Sequence, residues 1–349
     1  MNHPCKPIFH AGSGFHARPN FGVCTALQKP QKNQRSGIFM TLINNQNISI
    51  NSRTSIILGN FDGVHLAHQR LFSLAKQRSD ELQIKSLAFT FNPHPQEFFG
   101  GREFKSITTA EERRLLISQS GIDYVVEYPF DEKIQMMEPE QFFKEILVDE
   151  LNAKVITVGE DHRFGKERKG NSRLLFNMCE KYDVELNIMP DMLLGKDIIS
   201  STAVRKYIRE GKLSEATNML GRAYLIIDTV SKGRALGRSI GFPTINFKSK
   251  DAKLYPPDGV YVTQTEILNE KYKSVTNIGS KPTVGGTEVN IETHLLDFNG
   301  DAYNQPAVVF FHERIRGEKK FNTVQELSRQ IAKDIEHVIK FFNRIGDNV

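Results

Sequence analysis

The apolar positions change their period along the chain, and those changes divide it into modules. Thr54 to Leu58 is a short β-branched run ending at Gly59, and helical spacing follows from about His65 to Arg78. Strand, glycine turn and helix open a nucleotide-binding α/β unit. A second strand, Ser86 to Phe91, runs into Asn92, Pro93, His94 and Pro95, where the prolines end regular structure. Further strands are predicted at Tyr124 to Glu127 and Lys154 to Val158, with helices near Ala110 to Ser120 and Pro139 to Asn152. The alternation predicts a Rossmann-like parallel sheet with ligands at the carboxyl ends of its strands.

After Gly221 the pattern shortens. From Tyr224 to Phe311 short strands are broken by Gly, Pro and Asn, as in a small antiparallel β-barrel. A closing helix is announced by a capping box of Thr323 and Glu326. Its apolar face is expected to carry Val324, Leu327, Ile331, Ile335, Val338 and Phe342. Residues 1–39 hold no sustained period and are expected to be a disordered leader, with Met40 as the functional start. The expected organisation is therefore a leader (1–39), an α/β domain (40–210), a linker (211–223) and a barrel domain (224–349).

Length supports two cores, since 349 residues exceed what one usually organises. The net charge of +5 would suggest nucleic acid, but residues 1–61 carry six basic and no acidic side chains. The remainder is close to neutral, which argues against a nucleic-acid face. No apolar run approaches the length of a membrane span. Cys5, Cys24 and Cys179 have neither metal-ligand spacing nor an even pairing and suit a reducing, cytoplasmic setting.

Two segments of the α/β module carry candidate chemistry. His65 and His68 lie three residues apart at the start of a helix, behind the loop Gly59, Asn60, Phe61, Asp62, Gly63. Such a pair can donate N–H groups to phosphates, although zinc binding or two surface histidines would fit the same spacing. Ser201 and Thr202 read as helix caps, with Arg205 one turn on where it can join an anion site. In the barrel module, a glycine-rich run with Gly233, Gly237 and Arg238 precedes Thr244 and Asn246, which face one side of a strand and offer neutral oxygens to Mg²⁺. Glu292 alternates with buried-type residues and is a candidate general base on the inner barrel surface; a solvent-facing Glu fits the alternation too.

Together these segments resemble the prokaryotic bifunctional riboflavin kinase/FAD synthetase family across roughly residues 54 to 342. His65-Leu66-Ala67-His68 and Ile199-Ser200-Ser201-Thr202-Ala203-Val204-Arg205 are similar to its nucleotidyltransferase signatures, and Gly241-Phe242-Pro243-Thr244-Ile245-Asn246 to its kinase signature. The resemblance implies riboflavin phosphorylation by the barrel module and FMN adenylylation to FAD by the α/β module, with ATP and Mg²⁺. It implies ATP at Gly59, Asn60, Asp62, Gly63, Ser201, Thr202, Gly233, Gly237 and Arg238, with His65, His68 and Arg205 on the transferring phosphate. It implies flavin at Phe91, Asn92, Pro93, Asp161, Arg168 and Arg316, Mg²⁺ at Thr244 and Asn246, and Glu292 as base; a surface ion pair fits Arg316 as well, a turn cap Asn92, and a simple loop acid Asp161. Ala67 replaces the family's usual Gly and His162 its common Phe. The rival readings are a nucleotidyltransferase for another phosphate monoester and a non-catalytic flavin- or nucleotide-binding regulator. The expected partners are riboflavin, FMN and ATP, with neither nucleic acid nor membrane; oligomeric state stays open.

Overall fold

The structure, a computed structural model, describes residues 40–44, 48–100, 104–231, 240–283 and 286–346. The leader expected over residues 1–39 lies outside them. The described residues form two compact units that divide between Ser200 and Ser201.

The first unit is built on a six-stranded sheet with every pairing parallel, in the order β1-β4-β3-β2-β5-β6. The strands are β1 (Thr41–Ile43), β2 (Thr54–Leu58), β3 (Lys85–Asn92), β4 (Tyr124–Pro129), β5 (Ala153–Gly159) and β6 (Glu185–Met189). Strand β2 is buried along its whole length because both faces are covered, which is why Ile56, Ile57 and Leu58 follow one another without alternation. The chain adds β3 and β4 on one side of β2 and then β5 and β6 on the other, so the sheet reverses direction between β2 and β5. In open α/β sheets ligands bind at the carboxyl ends of the strands beside such a reversal.

Helix α1 (Leu66–Glu81) buries Leu71, Phe72 and Ala75, and Ser55 Oγ donates to Ala75 O at 3.1 Å, tying the helix to β2. Short helix α2 (Pro95–Gly100) follows β3, and α3 (Ala110–Ser118) opens on a capping box of Thr109 and Glu112. Beyond α4 (Glu132–Gln135) and α5 (Pro139–Gln141), residues Phe142–Glu150 form a π-helix where an ordinary helix was expected. The wider turn brings Phe142 and Phe143 together with Ile146 and Leu147 into the core. Helix α6 (Ser172–Lys181), capped by Asn171, leads into β6. The small hairpin of β7 (Leu193–Leu194) and β8 (Asp197–Ile198) ends the unit.

The second unit begins with helices α7 (Ser201–Arg209) and α8 (Leu213–Leu220). Residues 211–223, read from the sequence as a linker, thus contain a helix that buries Leu213, Ala216, Met219 and Leu220. An antiparallel sheet follows in the order β10-β13-β12-β11-β14-β9. Its strands are β9 (Tyr224–Thr229), β10 (Thr244–Lys248), β11 (Gly259–Ile267), β12 (Glu270–Thr283), β13 (Gly286–Leu295) and β14 (Pro306–Arg316). The two ends of that order meet just beyond β9, where Ser231 N–H donates to Asn246 O at 2.8 Å, curling the sheet towards a barrel. Inside, hydroxyls of Thr265, Ser274, Thr263, Thr276 and Thr293 form an unbroken buried hydrogen-bonded chain, so these polar groups satisfy one another.

Helix α9 (Val324–Ile345) lays Val338 and Phe342 against Val260, Val262 and Val275. Two details differ from expectation. Val324 is exposed, and Glu326 accepts from Asn322 N–H rather than from the cap residue, leaving only the Thr323 half of the capping box. Under the helix, His312 is 8% exposed and packs its ring against Phe341 and Phe342. Burial, helped by the charge of Lys271, pushes its imidazole down to about 4. The unfolded chain binds that proton near the ordinary value of about 6.5. Stability from a neutral His312 is therefore complete above that pH and declines as pH falls towards 4, by about 3 kcal/mol in all. Urea unfolding of the parent and His312→Leu at several pH values checks this. The variant should lose that part of the acid sensitivity.

Candidate functional site

The turn after β2 lies at the reversal of the parallel sheet, and its backbone is strained. Phe61 and Val64 have φ of 51° and 42°, beside Gly63 at 81°. For a β-branched residue this conformation is a true outlier, of the kind found where structure is held for a function. A side chain at Gly59 would meet the Phe61 ring at 2.6 Å. His65 occupies the N-cap position of α1, and its ring stacks on that of His68 with centroids 3.6 Å apart and planes 19° apart. Phe61 meets His68 edge-on at 5.4 Å, fixing the pair from behind. Ala67, between them, is buried.

Four residues read from the sequence as ATP contacts make hydrogen bonds within the protein. Asp62 is 1% exposed, and its two oxygens accept Ile107 N–H, Thr108 N–H and the Thr108 hydroxyl at 3.0 to 3.1 Å. Gly63 N–H donates to Thr108 Oγ1 and Gly59 N–H to Phe89 O. The Asp62 carboxylate is thus a brace for the turn, because a buried carboxylate must take up its acceptor capacity inside the protein. Asn60 has an exposed side chain, and its carbonyl accepts the Thr90 hydroxyl.

At the end of β3, Phe91 is half-buried while Asn92 and Pro93 are exposed. Beyond β5 comes Asp161, and then Phe164 and Gly170 exchange two backbone hydrogen bonds and close a loop that carries Arg168; both Asp161 and Arg168 are exposed. Phe142 connects the two loops, lying 6.2 Å from Phe91 and 6.0 Å from Phe164 between ring centroids. His162 stacks on Phe164, and burial together with the charges of Arg168 and Arg163 pushes it down to about 4. Phe142, the first residue of the π-helix, was not among the residues singled out from the sequence.

In the second unit, Ser201 and Thr202 open α7, and Arg205 is buried one turn on. Register places Asn246 opposite Glu292 and Thr244 opposite His294 on the neighbouring strand. Asn277 faces Glu292 from the other side, and Asn290 Nδ2 donates to Glu292 Oε1 at 2.7 Å. Glu292 therefore sits among three carboxamides. Its alternates Ile291, Thr293 and Leu295 are buried, so the inward face is theirs and the half-buried Glu292 points to the outer side, contrary to the expectation of an inner acid. Asn277 was missed because cross-strand register is invisible in one sequence.

Arg316, read as a flavin contact, instead makes a bidentate pair with buried Asp334 of α9 at 2.7 to 3.2 Å, and Gln330 also donates to that carboxylate. It fastens the helix. Gly233, Gly237 and Arg238 lie outside the described residues. Among the described residues no group of three or more His, Cys, Asp or Glu side chains could hold a metal, which leaves the zinc reading of His65 and His68 without further ligands. Among the same residues no helix is long and apolar enough to cross a membrane.

Two family models match the chain, FAD synthetase over residues 47–203 and riboflavin kinase over residues 220–342. A bifunctional riboflavin kinase/FMN adenylyltransferase of Buchnera aphidicola is 36% identical over 302 residues, covering 85% of this chain and 96% of the relative. The Bacillus subtilis protein of the same name is 34% identical, covering 84% and 94%. A solved structure from Streptococcus pneumoniae, described as a macrolide-efflux protein, superimposes with a TM-score of 0.77 at 32% identity, covering 84% of this chain and 97% of that one.

Proposed function

Because the chain belongs to the bifunctional riboflavin kinase/FMN adenylyltransferase family, we propose that it makes FAD from riboflavin in two ATP-dependent steps. Residues 224–349 transfer the γ-phosphoryl of ATP to riboflavin, giving FMN and ADP. Residues 40–210 join FMN to the adenylyl group of a second ATP, giving FAD and pyrophosphate. The observation that carries this reading is the presence, in one chain, of stacked His65 and His68 just beyond β2, where the strand order reverses, and of Glu292 facing Asn246 on a barrel.

In the first step Glu292 takes the proton of the ribityl 5′-hydroxyl as its oxygen bonds to the γ-phosphorus and ADP departs. Asn290 holds the carboxylate through Oε1, leaving Oε2 to accept the proton. Thr244 and Asn246 are neutral oxygen donors beside that carboxylate, a set that fits Mg²⁺, and they would hold the ion on the nucleotide phosphates, where it would offset their charge.

In the second step an FMN phosphate oxygen attacks the α-phosphorus and pyrophosphate leaves. An ionised phosphate needs no base, so the work of His65 and His68 is to stabilise charge on the transferring group. Phe91, Asn92 and Pro93 would hold the flavin ring, with Asp161 and Arg168 on the opposite loop. We place both steps in the cytoplasm, a setting suited by three cysteines with neither metal-ligand spacing nor an even pairing.

The test is to incubate purified protein with riboflavin, ATP and Mg²⁺ and to separate the flavins over time. FMN should accumulate and then decline into FAD. Riboflavin left unchanged would overturn the reading.

A further inference from the structure

One buried charge in the first unit has no part in the steps above. Arg113 of α3 is 3% exposed. Its Nη2 stands 3.4 Å from Phe91 O and 3.5 Å from Glu127 Oε1, and its Nε has no hydrogen-bond partner among the described residues. Glu127 is equally buried and takes its closer bond, 2.9 Å, from Arg114. Burial pushes the Arg113 guanidinium down from its ordinary value, against the charges of Glu127 and Asp62. Two long hydrogen bonds are little return for so deeply buried a cation, and such a group calls for an explanation.

Its neighbours supply one. Phe91 O ends β3, where the loop of Asn92 and Pro93 begins. Asp62, whose charge acts on Arg113, braces the turn that leads to His65 and His68. Glu127 lies on β4, and the Thr109 cap that starts α3 adjoins the two residues that grip Asp62. Arg113 thus joins α3, whose leading residues Ile107 and Thr108 hold the turn after β2 through Asp62, to the end of β3 and to β4.

We propose that Arg113 is a positioning residue for adenylyl transfer, setting the distance between the nucleotide-side turn and the flavin-side loop. The planar fork can serve acceptors in three fixed directions, which an ammonium cannot. Hydrogen bonds at catalytic sites are often long without ligands and shorten when the loops engage their substrates. The inference rests on the proposed conversion of FMN to FAD. Each loop keeps its own substrate without Arg113, so what is lost is their relative placement, and a misplacement of about 1 Å can cost roughly 10²-fold in rate.

The experiment measures FAD formation from added FMN and ATP by the full chain as parent, Arg113→Met and Arg113→Lys, with FMN formation from riboflavin as the control of folding. Arg113→Met should lose about 10²-fold in kcat with the KM for each substrate little changed, and lysine should restore little of it. Unchanged kcat, a loss confined to KM, or full restoration by lysine would overturn the positioning role. Should Arg113→Met fail to fold, Arg113→Lys carries the same kcat readout. A parent enzyme that makes FMN but no FAD would instead defeat the proposed second reaction, and this inference with it.

Discussion

Glu292→Gln is expected to lower FMN formation by about 10²- to 10⁴-fold while FAD formation from added FMN continues at the parent rate. Glutamine keeps the shape of the side chain and an oxygen for the Asn290 amide, whose bond to Oε1 measures 2.7 Å. What it removes is the capacity to take a proton. Asn246, Asn277 and Asn290 surround the carboxylate, and none of them can replace it as a base at neutral pH. Riboflavin kinase and FMN adenylyltransferase rates measured separately on one preparation decide the matter. Equal loss of both would mean that the substitution damages the whole chain and that the division of labour is wrong.

The sequence made the repetitive parts of the fold legible and hid what depends on partners far along the chain. Strand β2 was foreseen to the residue, because a short run rich in β-branched residues and ending at Gly59 admits few other readings. Strand β1 was not, being three residues at the edge of the sheet with little burial to pattern them. Strand β6 and helix α6 also went unread.

At the candidate sites the same division holds. That Thr244 and Asn246 share a face follows from the two-residue period of a strand, whereas the register that sets Asn246 against Glu292 is a product of the folded sheet. Asp62 and Arg316 have structural partners that their segments do not reveal. Each is a charged residue in a plausible segment, and each has its charge taken up by a partner the sequence cannot point to: the Ile107–Thr108 backbone for Asp62, and Asp334 of α9 for Arg316. Arg113 shows the converse, since a helical arginine in a polar run reads as a solvated side chain until packing encloses it.

Replacing both His65 and His68 with alanine should abolish most FAD formation from FMN, by about 10³-fold or more, and leave riboflavin phosphorylation unchanged. Removing one preorganised donor to a transition-state charge typically costs about 10²- to 10³-fold. The two effects should not simply multiply here, because the rings stack at 3.6 Å and each orients the other. Either single variant should therefore already lose much of what the double variant loses. His65 is buried, so His65→Asn, which retains a donor in less space, separates cavity formation from loss of the imidazole. Steady-state FAD synthesis by the four variants, compared in a double-mutant cycle, gives the coupling directly. A double variant that adenylylates FMN at the parent rate would mean that the helix start, for all its strained backbone, is not where the transferring phosphate lies.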